Sequence, residues 1–128
     1  SLGILSSGLA VVSLQLWVRL ARMRQRHNVY VIELDPSVLG EAKFVRANAH
    51  YQPGKPCVYV GMTFLDPDLR FDQHKAGIMS NRFAFKYGQR LMYEVFEALN
   101  PMPYGDAQYM EVDLGIRLRE QGWGVWQA

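Results

Sequence analysis

Apolar and polar positions in this chain follow two different periods, and the switches between them mark its elements. Val29 to Leu34, VYVIEL, is β-branched and aromatic and predicts a strand, which Asp35-Pro36-Ser37 ends. Residues 40–56 are polar and finish in Pro-Gly-Lys-Pro, as an enlarged hairpin connection would. A second apolar run from Cys57 to Met62 then pairs antiparallel with the first, which brings Tyr30 and Tyr59 onto one sheet. Asp66-Pro67-Asp68 combines a cap, a first-turn proline and an acid at the positive end of the dipole, so a helix is predicted from Pro67 to Ala76, with Gly77 as its stop. Between Ser80 and Leu99 the periods overlap: Phe83, Phe85 and Tyr87 alternate like a strand, while Leu91, Val95 and Leu99 are spaced like a helix. After a loop at 100–105, Asp106 is the expected cap of a helix that runs to Glu120 or Gln121 and closes at Gly122; Trp123 to Trp126 reads as a last strand. The pattern is that of an α/β (α+β) domain over residues 28–128, a small central antiparallel sheet flanked by helices.

Residues 1–27 stand apart. Residues 2–18 carry no charge and are followed by four arginines without an acid, Arg19, Arg22, Arg24 and Arg26. Seventeen uncharged residues are close to the minimum for a membrane span, and cations after the run would place the downstream chain in the cytoplasm. Three readings compete: a membrane anchor, an extension ahead of a start at Met23, and a docked or targeting helix.

Charge and cysteine content narrow the rest. The first 28 residues carry +4, and the remaining 10 basic and 12 acidic side chains give −2, so any nucleic-acid contact rests on a local patch rather than a coated surface. Lys75, Arg82, Lys86 and Arg90 are the candidates for such a patch. The single cysteine, Cys57, excludes an internal disulfide and a zinc cluster of several thiolates.

Arg70 and His74 lie one turn apart and leave the same helix face. A tyrosine hydroxyl, a guanidinium and an imidazole together, with a carboxylate from elsewhere, suit phosphodiester hydrolysis. One carboxylate, Glu111, is unusually placed. It falls inside the apolar stripe of Ala107, Met110, Leu114 and Leu118, where a charge costs free energy unless it is paired, protonated or bound to a cation, and Gly115 one turn later leaves space beside it.

Taken in order, Tyr30, Tyr59-Val60-Gly61 with Met62-Thr63, Arg70, His74 and Glu111 resemble the GIY-YIG nuclease family over about residues 28–128. Val29-Tyr30-Val31 stands in place of Gly-Ile-Tyr. The resemblance implies a metal-dependent endonuclease acting on nucleic acid, DNA before RNA, with Mg²⁺ or Mn²⁺ held by Glu111. It implies Arg70 on the phosphoryl oxygens, Tyr59 aided by Tyr30 at the attacking water, and His74 as a second proton-transfer group that titrates near 6.5 when unperturbed. Thr63, Lys75, Arg82, Lys86 and Arg90 are the expected nucleic-acid contacts. Two features depart from the family: no asparagine follows Asn100, leaving Gln127 as the substitute, and the insert between the tyrosines is long. The competing reading is a catalytically silent module that binds nucleic acid or protein. Further partners considered are a membrane through residues 2–18 and a protein that supplies specificity.

Overall fold

The computed structural model describes residues 13–20 and 26–128. Most of the expected anchor, extension or docked helix at 1–27 therefore lies outside the described residues. Residues 13–20 are helical, with Leu14, Leu16, Trp17 and Leu20 exposed. No helix among the described residues is long and apolar enough to cross a membrane.

Four strands form one sheet in the order β3-β1-β2-β4: β1 (Asn28–Leu34), β2 (Cys57–Thr63), β3 (Gly88–Leu91) and β4 (Gly124–Gln127). β1 pairs antiparallel with β2 as the sequence predicts, with Tyr30 opposite Gly61 and Ile32 opposite Tyr59. β3 joins β1 antiparallel, and β4 joins β2 parallel, so the sheet is mixed; the expected antiparallel sheet is corrected, because the chain returns through the long C-terminal helix to lay β4 along β2 in the same direction. The helices are α1 (Ala42–Arg46), α2 (Pro67–Lys75), α3 (Arg82–Tyr87), α4 (Tyr93–Phe96) and α5 (Tyr104–Glu120). Flanking helices around a small sheet make this an α+β fold.

The start and stop of α2 are those read from sequence. Asp66 accepts from the Asp68 N–H at 2.9 Å, and Gly77 closes the helix at a φ of +77° that glycine adopts without strain. One helix reading is corrected, and one that the sequence left open is decided. Asp106 is not the cap of α5: the helix starts at Tyr104 after Pro103, and Asp106 sits in its first turn, where a carboxylate still favours the dipole. The alternating Phe83, Phe85 and Tyr87 belong to helix α3, not to a strand, because the Asn81 side chain accepts from the Phe83 and Ala84 N–H groups and initiates a turn there.

α5 packs across β2 and β4, burying Ala107, Leu114 and Leu118 as expected, and Asp113 pairs with Arg117 at 2.7 Å. Along β4, Gln127 turns toward α5 while Trp126 packs edge-on against Phe83 of α3, so helices cover both faces of the sheet. The space left by Gly115 is filled by the Gln127 amide, which donates to the Glu111 carbonyl at 2.8 Å; a Cβ at Gly115 would collide with it. The outer edge of β4 is closed by buried Asn48, whose amide accepts from the Val125 N–H at 2.7 Å and donates to the Val125 carbonyl at 3.0 Å. One side chain thus stands in for a neighbouring strand.

Candidate active site

β1 and β2 place Tyr30 and Tyr59 diagonally on one face of the sheet, with ring centroids 6.1 Å apart. Gly61 opposite Tyr30 is what admits the first ring. A Cβ there would lie 2.5 Å from the Tyr30 hydroxyl and 2.6 Å from its Cζ. The face of α2 that carries Arg70 and His74 closes over the two tyrosines, and the imidazole sits 5.9 Å from the Tyr30 ring and 5.3 Å from the Tyr59 ring.

His74 is fully buried, and both its ring nitrogens are engaged. Nδ1 accepts the Asn81 backbone N–H at 3.1 Å, so in the neutral ring the proton must sit on Nε2. Nε2 lies 2.8 Å from the Tyr30 hydroxyl and therefore donates to it, which leaves the Tyr30 proton free to be donated onward. Burial first, then the charge of Arg70, pushes the His74 pKa down to about 4. The expected titration near 6.5 is thereby corrected. A buried, neutral imidazole with both nitrogens occupied is placed to orient Tyr30.

Burial raises the pKa of both tyrosines. Tyr30 is raised furthest, with the neighbouring Tyr59 adding to the effect of burial. At Tyr59, hydrogen bonding with Tyr30 and the charge of Arg70 act downward, while the charge of Glu111 acts upward. Of the pair, Tyr59 is the hydroxyl whose anion its surroundings disfavour less.

Arg70 does not pair with Asp66 one turn earlier. Its Nη1 donates to the Gln73 side chain at 3.0 Å and the Ile78 carbonyl at 3.3 Å, and its Nη2 to the Met79 carbonyl at 2.8 Å. The turn that presents those carbonyls contains Met79 at a φ of +44°, a left-handed conformation that a side chain rarely adopts. Three of the five N–H groups of Arg70 are used to fix the guanidinium, whose charge and hydrogen bonding also act on Tyr30.

Glu111 is half-buried and makes no ion pair or side-chain hydrogen bond with the described residues, and burial raises its pKa. Among the described residues no group of three or more His, Cys, Asp or Glu side chains could hold a metal. A lone carboxylate without a protein counter-ion does not fit an all-protein metal cage; it fits Mg²⁺ or Mn²⁺, which take their other ligands from water and substrate phosphate. Gln127, the substitute for the missing asparagine, is spent on the Glu111 carbonyl and on Arg119.

The expected nucleic-acid contacts are placed differently. Thr63 is buried and accepts from the Leu65 N–H. Lys75 donates to the Phe85 carbonyl, Arg82 and Lys86 share Glu41, and Arg90 lies between Glu33 and Glu94. These cations are exposed at the surface but are not an uncommitted basic row. Sequence reading missed Asn81 and the 78–79 carbonyls. An Asn before Arg82-Phe83 is a cap signal, but nothing in the sequence says that its N–H meets an imidazole.

The chain matches no family model, and no curated protein or solved structure is significantly similar to it.

Proposed function

We propose that this chain is a divalent-metal-dependent endonuclease of the GIY-YIG kind, hydrolysing phosphodiester bonds of nucleic acid, DNA before RNA. The observation that carries the reading is the meeting of Tyr30, Tyr59, Arg70 and His74 in one buried cluster, with the unpartnered Glu111 carboxylate close enough to bias Tyr59. A divalent cation on Glu111 would supply Lewis acidity toward the phosphate and its departing oxygen.

The chain's own residues then have distinct tasks. Arg70, held by the Ile78 and Met79 carbonyls, offers its remaining N–H groups to the phosphoryl oxygens as negative charge builds. Tyr59 orients the attacking water and would take up its proton as a phenolate whose own proton has passed to solvent; burial opposes that ionisation, and the Tyr30 hydrogen bond and the charge of Arg70 offset part of the opposition. Tyr30 packs beside Tyr59, with ring centroids 6.1 Å apart, and His74 holds Tyr30 through a fixed tautomer. In this reading the protein works in the cytoplasm, with residues 2–18 as its contact to a membrane and a protein partner as the source of specificity.

The reading is tested by incubating the chain with duplex, single-stranded and branched DNA and with RNA, in Mg²⁺, in Mn²⁺ and in EDTA. Cleavage that needs the cation and falls about 100-fold or more in Arg70→Ala is the expected result, in line with the loss of one preorganised charge donor. A folded parent that cuts none of these substrates would point instead to the catalytically silent binding module.

A further inference from the structure

A cavity of about 550 Å³ opens where β2 and β4 begin, between residues 46–52 and the last turn of α5, and none of the tyrosine-cluster residues lines it. Its wall includes Arg46, His50, Tyr51, Arg119, Glu120 and Trp123. Its size falls within the range of roughly 300–1,000 Å³ typical of small-molecule sites.

Arg119 is half-buried, and its three hydrogen bonds all go to neutral oxygens: Asn48 Oδ1 at 3.2 Å, Gln127 Oε1 at 3.2 Å and the Val125 carbonyl at 2.9 Å. It takes part in none of the ion pairs among the described residues, and neither do Arg46 and His50. The end of α5 does not need the charge. The Gln121, Gly122 and Trp123 N–H groups already satisfy the carbonyls of Arg117, Leu118 and Arg119. A guanidinium drawn partly out of water without a counter-charge is costly, and burial accordingly lowers its pKa. Two arginines against Glu120 leave the wall positive. Tyr51, fixed by its hydroxyl on the Lys55 carbonyl at 2.6 Å, and Trp123, packed against the core, add two rings.

We propose that this cavity is a second ligand site, separate from the tyrosine cluster, for a small anion that carries a flat ring, of the nucleoside monophosphate class. Arg119 and Arg46 meet the phosphate, and Tyr51 and Trp123 meet the base.

The test is calorimetric titration of the full chain in EDTA with adenosine 5′-monophosphate, adenosine, inorganic phosphate and benzoate. The nucleotide should bind at least tenfold more tightly than each of the other three. The Arg46→Ala/His50→Ala double variant, which breaks none of the ion pairs, should lose at least fivefold in nucleotide affinity with its melting temperature unchanged. Arg70→Ala should bind like the parent. Nucleotide binding no tighter than inorganic phosphate or adenosine overturns the site, as does binding indifferent to the double variant. Benzoate binding as tightly as the nucleotide overturns the nucleotide class. Loss of binding in Arg70→Ala would assign the nucleotide to the tyrosine cluster and refute a separate site.

Discussion

Replacing Gly61 by alanine adds one methyl group at the most crowded point of the tyrosine cluster. The new Cβ would sit 2.5 Å from the Tyr30 hydroxyl, 2.6 Å from Cζ and 3.0 Å from Cε1, all inside contact distance. Tyr30 cannot swing aside cheaply. It is 1% exposed, and its hydroxyl is bound to His74, which is itself fully buried and held by the Asn81 N–H. Either the ring is displaced or β2 moves, and overpacking of this kind costs about 1–3 kcal/mol. Breaking the Tyr30–His74 hydrogen bond adds about 1 kcal/mol, for a total of roughly 2–4 kcal/mol. At roughly 4–8 °C per kcal/mol for a domain of this size, the melting temperature should fall by about 8–32 °C. Thermal and urea unfolding of Gly61→Ala, Tyr30→Ala and the double variant measure it. Because both changes act on the same volume, the double variant should be more stable than additivity predicts by about 1 kcal/mol or more. A Gly61→Ala protein within about 0.5 kcal/mol of the parent, the usual range of an inconsequential substitution, would refute the packing argument.

Neighbouring contacts carry the other predictions. His74 has a pKa lowered to about 4 in the fold from 6.5, so the unfolded chain binds the extra proton; its contribution is complete above pH 6.5 and is lost as pH falls toward 4, on the order of 3 kcal/mol. Urea midpoints between pH 7.5 and 4 should show that decline in the parent and a shallower one in His74→Phe; equal slopes would contradict it. Glu111 has a raised pKa, so its charge opposes folding at neutral pH, and Glu111→Gln should unfold at the same or higher urea concentration than the parent at pH 7. Asn48→Ala strips the Val125 N–H of its edge partner and should cost about 1–3 kcal/mol for the orphaned group. Hydrogen exchange at the Val125 amide should accelerate, and unchanged protection would argue against the edge-closing role.

Short-range chemistry decides the features that could be read from the sequence. Asp66-Pro67-Asp68 caps α2 by contacts within three residues, Gly77 and Gly122 stop helices at positive φ, and Ala107, Leu114 and Leu118 keep their period along α5. The Tyr30–Tyr59 neighbourhood came from antiparallel pairing of two apolar runs. The rest depended on distant partners. The alternation of Phe83, Phe85 and Tyr87 looked like a strand because each ring lies against a different surface: Phe83 meets Phe44 and Trp126, while Phe85 is half exposed. The basic row looked like a phosphate track because Glu41, which neutralises Arg82 and Lys86, is more than 40 residues away in sequence. The burial of His74 was not legible because it is set by the sheet beneath it and by Asn81, not by its own helix.

Glu111→Gln separates chemistry from folding most cleanly, since it removes a carboxylate without removing a contact made by its side chain. The deciding measurement is single-turnover cleavage of supercoiled and linear DNA by the parent and by Glu111→Gln, each at several Mn²⁺ and Mg²⁺ concentrations, with unfolding curves recorded on the same samples. The metal-dependent nuclease predicts cation-dependent cutting by the parent and a loss of about 100-fold or more in a variant at least as stable. Equal cleavage by the two proteins, or cleavage by neither, would contradict it.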